Sequence, residues 1–454
     1  MVLMATGEYP YCLRSNSEEK YTGSTFTRRD RPIPAARHSR LMANHTVSRE
    51  APTHACFSRS SVGGIVPKGM NPAFLLDAQG DSTHARFGPM RILIAHNVPR
   101  GRNGGMNRIM CFIHDEIEAA GHTVEYFCAE DAACTGKLAR FTFPLAVLRH
   151  AEAARRAGKP YDVINVHEPS GAAVAWWKRR TGARIVVTSH GLETRGWKLM
   201  VERGGVSLKS RIVFPATVLW QARLALRRAD HVFCLNSEDA GVLIRSGIPA
   251  NRITRIFPAA DPIFGQATHD YNQARTILFA GTWLSRKGIH ELVAAFARVA
   301  AARPEIRLAV LNPGVLDATV LSDFPPAIRE QVSCVRAAPE KGVADVFASA
   351  DIYVLPSVFE GTPLTLMEAM WSGLPIVATD TCGMHDVLRH GDNGLLIPVG
   401  APERLAQELE CLLENPGLRA KLGQAARADA IQHYSWRKSA EPVREAYETL
   451  VGIR

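Results

Sequence analysis

The sequence predicts an α/β protein with two doubly wound parallel-sheet domains. Three observations support this fold class. From residue 90 onward, short apolar runs of strand length alternate with stretches of helical periodicity. Each apolar run is followed by turn-forming residues, as in a series of βαβ units. The alternation restarts after residues 261–262, and a chain of 454 residues with 46% apolar residues can bury two cores.

The first domain is predicted over residues 90–262. A glycine-rich loop at 101–105 follows its first strand, and a helix at 107–120 ends at Gly121. Its strands are short apolar runs, predicted at 91–95, 124–127, 162–166 and 185–188. Each run leads into a loop and a helical stretch, which is the order that a doubly wound parallel sheet requires.

The second domain is predicted over residues 263–434, after a candidate linker at 258–266. Its strands are predicted at 276–279, 307–311, 352–355 and 376–378, and two of its helices at 289–302 and 402–413. The final segment, residues 435–454, is predicted to be helical.

Residues 1–89 are predicted to be a disordered N-terminal extension. They are rich in Ser, Thr, Arg, Pro and Gly and show no sustained period of a strand or a helix. The strand pattern that starts at Met90 is typical of the beginning of a nucleotide-binding α/β domain. We therefore expect Met90 to begin the functional protein, with residues 1–89 either a disordered extension or a misassigned start.

The composition limits the partners and the compartment. A formal charge of +10 suits an anionic nucleotide or an acidic membrane surface. No basic stripe is interleaved with aromatic residues, so nucleic acid is not expected as a partner. The nine cysteines form no C-x-x-C pair, which predicts neither a disulfide framework nor a zinc site and favours the cytosol. No run of 18 apolar residues predicts a membrane span.

Two glutamates, Glu360 and Glu368, are separated by seven residues at the end of the predicted strand 352–355. Glu360 lies in the loop after the strand, and Glu368 lies about one turn into the next helix. Free backbone amides at the start of that helix, among them those of Leu364 and Thr365, form an anion site. A carboxylate beside such a site can accept hydrogen bonds from a ribose diol. The pattern therefore predicts a site for a nucleoside diphosphate that carries a sugar.

The segment resembles the sugar-nucleotide site of the retaining family 4 glycosyltransferases, which have the GT-B fold. The family pattern stands here as E-G-T-P at 360–363, E-A-M at 368–370 and G-L-P-I-V-A-T at 373–379. Further similarity lies at 281–296 and 391–400, and the resemblance covers about residues 90–450. It implies a hexosyltransferase with an acceptor domain at 90–262, a donor domain at 263–434, and a terminal helix at 435–454 that packs back on the first domain.

The resemblance also implies roles for individual residues. His190, in S-H-G-L-E at 189–193, is expected to line the donor sugar, and Glu360 to orient its hydroxyl groups. Lys287 and Arg286 are expected to contact the diphosphate. The family usually has an arginine where this chain has Thr282, so Arg286 is the candidate replacement.

Three glycines are expected to let the backbone approach the ligand closely. Gly104 and Gly105 follow the first strand and Gly361 follows Glu360. Leu364, Thr365 and Glu368 complete the expected nucleotide-binding set. His167 and Glu168, at the end of the preceding strand, are candidates for contact with the acceptor, and a purely structural role is the alternative.

The resemblance implies no cofactor, since a UDP- or GDP-linked sugar is itself the donor substrate. The sequence lacks the D-x-D element that binds a divalent ion in the other large glycosyltransferase fold, so no metal is expected. We expect retention at the anomeric carbon by front-face attack, with Lys287, Arg286 and helix-end amides stabilising the leaving diphosphate.

Other functions are compatible with parts of the pattern. A catalytically silent nucleotide-sugar-binding subunit is conceivable because of Thr282, and a related GT-B epimerase or phosphorylase would share the fold. The loop at 101–105 is not a G-x-G-x-x-G fingerprint, which disfavours an NAD-dependent enzyme.

The acceptor is expected to be a saccharide or a lipid-linked molecule in envelope or exopolysaccharide synthesis. Residues 206–229 combine apolar and basic residues at helical spacing. This pattern predicts an ordinary surface helix with its apolar face in the core, and it leaves open a contact with the inner face of the membrane.

Overall fold

The computed structural model describes residues 88–101, 104–132, 138–204, 206–338 and 340–452. The predicted N-terminal extension therefore lies outside the described residues, apart from its last two positions. The two α/β domains are described almost completely. The predicted fold class is confirmed, because the chain forms two six-stranded sheets in which all strand pairs are parallel.

The first sheet has the strand order β2-β1-β3-β4-β5-β6. Its strands are β1 Arg91–Ala95, β2 Thr123–Phe127, β3 Val163–His167, β4 Arg184–Thr188, β5 His231–Cys234 and β6 Ile253–Arg255. Four of them were predicted to within one residue. Strand β3 runs on to His167 because that residue pairs with Thr188 in the ladder. Strands β5 and β6 are short and were not predicted.

The helices of the first domain cover both faces of this sheet. They are α1 Gly105–Ala119, α2 Ala139–Arg156, α3 Ala172–Trp176, α4 Lys178–Thr181, α5 Glu193–Glu202, α6 Leu208–Phe214, α7 Trp220–Arg228 and α8 Ser237–Arg245. The predicted helix at 206–229 contains a π-helical segment, Pro215–Leu219, between α6 and α7. Pro215 has no amide hydrogen for a bond to the preceding turn, and the wider segment accommodates it.

The second sheet has the strand order β12-β11-β10-β7-β8-β9. Its strands are β7 Thr276–Ala280, β8 Arg307–Leu311, β9 Val332–Val335, β10 Ile352–Leu355, β11 Ile376–Thr379 and β12 Leu395–Ile397. Strands β9 and β12, at the two edges, were not predicted. Edge strands are only partly buried, so their apolar signal is weaker than that of central strands.

Seven helices follow in the second domain, and one more ends the described chain. They are α9 Ile289–Ala302, α10 Asp317–Ser322, α11 Lys341–Ala348, α12 Leu364–Ser372, α13 Cys382–Val387, α14 Pro402–Glu414, α15 Pro416–His433 and α16 Trp436–Gly452. Among the described residues, no helix combines the length and the apolar composition needed to cross a bilayer.

Successive side chains of a central strand pack in different hydrophobic cores, one on each face of the sheet. In β1, Ile92 and Ile94 join the core under α1 and α16, whereas Leu93 and Ala95 join the core on the other face. In β10, Ile352 and Val354 likewise face one core and Tyr353 and Leu355 the other. This period of two, apolar on both sides, is what a parallel sheet covered on both faces requires.

The chain crosses from the first domain to the second near residue 259. Ala259 packs in the first domain, and Ala260 and Phe264 pack in the second. The last helix, α16, returns to the first domain. There Trp436 stacks on Phe112 with 4.8 Å between ring centroids, and the buried Tyr447 hydroxyl accepts a 2.7 Å bond from Asn165.

Candidate active site

All predicted site residues except His190, which follows β4, come after the strands at which the order of each sheet reverses. In the first sheet the reversal lies between β1 and β3, which are followed by the Gly104-Gly105 loop and by Glu168. In the second sheet it lies between β7 and β10, which are followed by the Lys287 loop and the Glu360 loop. Open α/β sheets bind ligands at the carboxyl ends of strands at such reversals. The two reversals face each other across the domain boundary.

The loops after β7 and β10 pack tightly against each other. Gly288 has φ of 72°, and a Cβ atom there would lie 1.9 Å from the carbonyl oxygen of Pro356. The amide of Val358 donates a 2.8 Å bond to the carbonyl oxygen of Arg286. Only glycine permits this approach, and it brings the basic pair of one loop beside the carboxylate of the other.

Glu360 binds both predicted cations. Lys287 Nζ lies 2.5 Å and Arg286 Nη1 3.3 Å from Glu360 Oε1, and the Ser357 hydroxyl donates to the same oxygen at 3.1 Å. Burial by itself would raise the pKa of Glu360, but Lys287 and Arg286 outweigh it and hold that pKa below its usual value. The side chain of Thr282 plays no part in this ion-pair cluster, whereas Arg286 does. The cluster of one carboxylate and two cations has a formal charge of +1.

Glu368 forms an ion pair that the sequence analysis did not predict. Its side chain is buried, and Arg108 Nη1 of α1 lies 2.6 Å from Oε1. Burial raises the pKa of Glu368, and Arg108 counteracts part of that shift. Glu368 Oε2 and Arg108 Nη2 are both buried without a hydrogen-bond partner among the described residues. Arg108 Nε is likewise buried without a partner there, so one acceptor atom and two donor atoms remain for a ligand at the domain boundary.

The glycine-rich loop meets the start of α12. Gly104 has φ of 84°, and a Cβ atom on Gly105 would lie 3.8 Å from Leu364 Cβ. Helix α12 begins at Leu364, where its backbone amides point toward this loop. One amide of this turn and the Thr365 side chain have partners within the chain. The amide of Leu366 already binds the carbonyl oxygen of Pro363, and the Thr365 hydroxyl accepts a 2.8 Å bond from Tyr353.

His190 and Gly361 touch across the boundary. A Cβ atom on Gly361 would lie 2.5 Å from the carbonyl oxygen of His190, so only glycine fits. His190 Nε2 lies 2.9 Å from Nδ1 of the fully buried His167. Burial lowers the pKa of His190 to about 3, which keeps the ring neutral at physiological pH. The buried His167 ring can therefore hold the His190 ring in position.

A pair of carboxyl groups lies beside this histidine. Glu168 Oε1 accepts a 3.3 Å bond from the amide of Glu193. Burial, together with the nearby Glu193, raises the pKa of Glu168 to about 8, and burial raises the pKa of Glu193 to about 7 against the pull of Arg286. At neutral pH Glu168 is therefore mainly protonated and can donate a hydrogen bond.

Two site residues were missed by the sequence reasoning, Arg108 and Glu193. The available signal for Arg108 was its position three residues after Gly105, in the first turn of α1. Glu193 belongs to the S-H-G-L-E segment and starts α5, but no role was assigned to it. The ten residues predicted to bind the donor all lie at the domain boundary or in the loops after β7 and β10. Their individual roles stay predictions.

The chain matches two glycosyltransferase sequence families. Residues 266–429 match the family described as "Glycosyl transferases group 1", and residues 104–259 match the "Glycosyl transferase 4-like domain". Together the two matches cover most of both α/β domains.

Curated relatives cover most of the chain. A phosphatidyl-myo-inositol mannosyltransferase of Mycobacterium leprae is 29% identical over 322 residues, which are 69% of this chain and 80% of that protein. A D-inositol 3-phosphate glycosyltransferase of Streptomyces scabiei is 28% identical over 402 residues, 78% of this chain and 88% of that one. The relatives are sugar-transferring enzymes, as predicted.

Solved structures share the fold. A sucrose-phosphate synthase from Thermosynechococcus elongatus superposes with a TM-score of 0.65 at 19% identity, covering 80% of this chain and 100% of that one. The Anabaena protein HepE in complex with UDP superposes with a TM-score of 0.59 at 17% identity, covering 79% and 100%. Sequence families, relatives and architecture agree: the chain belongs to the group 1 glycosyltransferases of family 4 and has the GT-B fold.

Proposed function

We propose that this glycosyltransferase moves a sugar from a UDP- or GDP-linked donor to a hydroxyl acceptor, with retention at the anomeric carbon and without a metal ion. The observation that carries the proposal is the contact of Glu360 with Lys287 and Arg286, next to His190. These residues combine a sugar-orienting carboxylate, two cations for a diphosphate and a neutral imidazole in one buried cluster.

The charge of the cluster suits departure of a nucleoside diphosphate. The bond between the anomeric carbon and the phosphate oxygen breaks, and negative charge grows on that oxygen. The cluster has a net charge of +1 and is held in place before the reaction, so it stabilises the negative charge on the phosphate oxygen without having to rearrange. The attraction between the cluster and the phosphate oxygen is stronger in the transition state than in the ground state, and this difference accelerates the reaction.

Retention follows in our proposal from attack on the same face. The acceptor oxygen forms its bond to the anomeric carbon on the side from which the diphosphate leaves, and its proton passes to the leaving phosphate oxygen. Glu360 is neutralised by two cations, so it is a weak nucleophile and a good acceptor for sugar hydroxyls. Glu168, which follows β3 in the first domain, is proposed to donate a hydrogen bond from its protonated carboxyl group to an acceptor oxygen.

The nucleotide portion is assigned to the boundary between α1 and α12. Glu368 Oε2 would accept from the ribose, and Arg108 Nη2 would donate to a diphosphate oxygen. Solved relatives of the fold support a nucleotide in such a protein, since HepE was crystallised with UDP and the starch synthase IV catalytic domain of Arabidopsis thaliana with ADP.

The acceptor is proposed to be a saccharide or a lipid-linked molecule of the cell envelope or an exopolysaccharide, with the enzyme in the cytosol. The relatives' names support this class, since one is a mannosyltransferase for phosphatidyl-myo-inositol. The cysteines support the compartment, because the buried Cys128, Cys234 and Cys382 carry free thiols.

The test is release of the nucleoside diphosphate by the purified full chain. UDP- and GDP-hexoses are supplied together with a saccharide or alcohol acceptor, with and without a chelator, and NMR of the glycoside formed reports the anomeric configuration. We expect chelator-resistant release and a retained configuration. Donor binding without turnover would identify a silent subunit. Conversion of the donor sugar to its epimer would identify an epimerase. Turnover that depends on added phosphate would identify a phosphorylase.

A further inference from the structure

Exposed apolar side chains are concentrated on one part of the first domain. Thirteen large apolar side chains are exposed in the part of the chain that the structure describes, and nine of them lie between residues 138 and 220. Leu208 is 79% exposed, Ile212 74% and Trp220 47%. Leaving such side chains in water is unfavourable, and a cluster of them marks an interaction surface.

These residues lie on helices that pack against one another. Helix α3 packs on α7, and α2 packs on α3. The guanidinium of Arg228 lies 4.3 Å from the ring centroid of Trp176, and Arg140 Nη1 donates to the Thr217 hydroxyl at 3.2 Å. We call this the aromatic-basic surface, defined by Phe141, Trp176, Leu208, Ile212, Val213 and Trp220.

The segment from α6 to α7 carries both buried and exposed apolar side chains. One side, with Val218, Leu219, Ala222, Ala225 and Leu226, is buried in the first domain as predicted. Leu208, Ile212 and Trp220 of the same segment are exposed. Core packing accounts for the buried side chains only.

The charge of this surface has a single sign. Residues 206–229 contain five Lys and Arg residues and no Asp or Glu, and residues 170–184 contain four and none. Lys178 and Arg180 are paired with Asp230 and Glu152. Lys209, Arg211, Arg223 and Arg227 form no ion pair with any residue that the structure describes. A second copy of the same surface would be repelled, whereas an anionic bilayer would be attracted.

The surface also lies at the edge of the sheet that carries the active site. Helix α7 ends at Arg228, just before the amino end of β5, so its start at Trp220 lies toward the carboxyl ends of the strands. Helix α6 extends beyond that point. Helix α5 links His190 to this region, and its Trp197 stacks on Phe214 with 4.4 Å between centroids.

We propose that the aromatic-basic surface docks on a bilayer that contains anionic phospholipid, with the apolar residues of α6 inserted at the headgroup boundary. Tryptophan side chains suit this interface because one end is apolar and the other can donate a hydrogen bond. Lysine and arginine place their stems along the apolar surface and their charges among the phosphates. Docking of this kind presents the carboxyl edge of the first sheet, with His190, to acceptors held in the membrane.

The experiment is flotation of the full chain with vesicles. One set contains phosphatidylcholine alone and the other contains phosphatidylcholine mixed with phosphatidylglycerol. We expect binding to the anionic vesicles that weakens as salt is added. The variant L208D/I212D should bind at least about tenfold more weakly, because it places charges where apolar side chains insert. The variant K209E/R211E/R223E should bind more weakly by about fivefold or more for each reversed charge.

The matched control is L316D. Leu316 is 76% exposed, which is close to the 74% of Ile212, but it lies beside α10 in the second domain. This variant should bind vesicles like the wild type. All variants should keep the wild-type Tm and the wild-type rate of donor hydrolysis without vesicles, because the changed side chains are exposed and none belongs to the proposed site.

Four results would overturn the proposal. They are no flotation of the wild type, equal binding to neutral and anionic vesicles, equal loss in L316D, and a dimer that L208D/I212D abolishes. The last would assign the surface to a second copy of the chain. Because donor hydrolysis is measured without vesicles, failure of the membrane proposal and failure of the transferase proposal give different results.

Discussion

The Glu360 carboxylate is shared by two cations from one short loop, and they are not equivalent. Lys287 is the closer, at 2.5 Å, and it is buried, whereas Arg286 reaches the same oxygen from 3.3 Å. Removing either cation lowers the charge that the cluster presents to a departing diphosphate. The distances indicate that Lys287 also fixes the position of Glu360.

Replacing Lys287 by alanine should therefore lower kcat by on the order of 10²-fold, and donor affinity should fall as well. R286A should also lose activity if Arg286 replaces the arginine that the family has at the position of Thr282. Steady-state kinetics of donor hydrolysis measures both. K341A, at an exposed position of α11, is the control and should match the wild type. Full activity of R286A would show that Arg286 is not the replacement.

The pair of Arg108 and Glu368 joins α1 to α12. E368Q should weaken binding of the nucleoside diphosphate by roughly 1.5–3 kcal/mol, the scale of hydrogen bonds to charged groups. R108M and E368Q should each lower Tm, because each leaves the other partner buried without its counter-charge. The double variant should lose less Tm than the sum of the two single losses.

Calorimetry and thermal unfolding of the four proteins measure these effects. E403Q, at an exposed position of α14, is the control for the loss of a carboxylate. Strictly additive losses of Tm would contradict a direct interaction of Arg108 with Glu368. Unchanged nucleotide affinity in a folded E368Q protein would remove Glu368 from the binding site.

Glu168 should make the folded protein less stable as the pH rises to about 8. Its pKa in the folded protein, about 8, lies above the value of about 4.3 for an unperturbed glutamate, so folding favours the neutral form. The stabilisation is complete below the unfolded pKa and is lost as the pH rises through about 8. E168Q stays neutral at every pH, so its Tm should fall less than that of the wild type between pH 6 and pH 9. Parallel curves of Tm against pH would contradict the raised pKa.

At the scale of elements, loops after parallel strands carry the site, and glycines set how closely they approach. Gly288 lets the β7 loop reach the carbonyl group of Pro356, and Gly361 lets the β10 loop reach that of His190. Both contacts involve backbone atoms, which cannot rotate away as a side chain can. The positions of Lys287, Glu360 and His190 relative to one another depend on these two contacts.

G361A should therefore displace the β10 loop from the first domain. The new methyl group would lie 2.5 Å from the His190 oxygen and 2.9 Å from Leu235 Cδ1, so the backbone has to move. A shift of this size at reacting groups lowers turnover by about 10²-fold, and Tm should fall. G417A is the matched control, since nothing lies within 4 Å of a Cβ atom there. Equal kinetics of the two variants would contradict the proposed role of this contact.

At the scale of the whole molecule, the two domains are tied together at several points. The amide of Ser237 donates a 2.6 Å bond to Asp386, and Arg203 pairs with Glu291 at 3.0 Å. Helix α16 returns from the second domain to the first, where Trp436 and Tyr447 enter the core around Ile92. The two domains are thus held together both by side chains and by the path of the chain.

A chain that begins at Met90 should keep the Tm and the transferase activity of the full chain. Met90 is buried, its amide binds His122 Nδ1 at 3.2 Å, and both sheets and their cores lie within residues 90–452. Thermal unfolding and donor turnover of the two proteins provide the test. A large loss of either property in the shorter chain would show that residues 1–89 contribute to the enzyme.

The sequence by itself determined the local units. Buried strands with apolar residues on both faces indicated parallel sheets, and turn residues after each strand placed Glu360, Lys287 and His190 at strand ends. These features depend on neighbours within about a dozen residues, so they can be predicted without knowledge of the fold. The family motifs at 360–379 then indicated what the loops bind.

The tertiary structure alone decided which distant residues meet. Arg108 and Glu368 are 260 positions apart, and their ion pair depends on strand order and on contact between the domains. The same holds for Glu193 beside Arg286, and for α6, which has no buried residue, next to the buried face of α7. Periodicity shows that a helix has two faces, but only the packing of the other elements decides which side chains they cover. Contacts of this kind depend on the closed arrangement of both sheets, which no local pattern encodes.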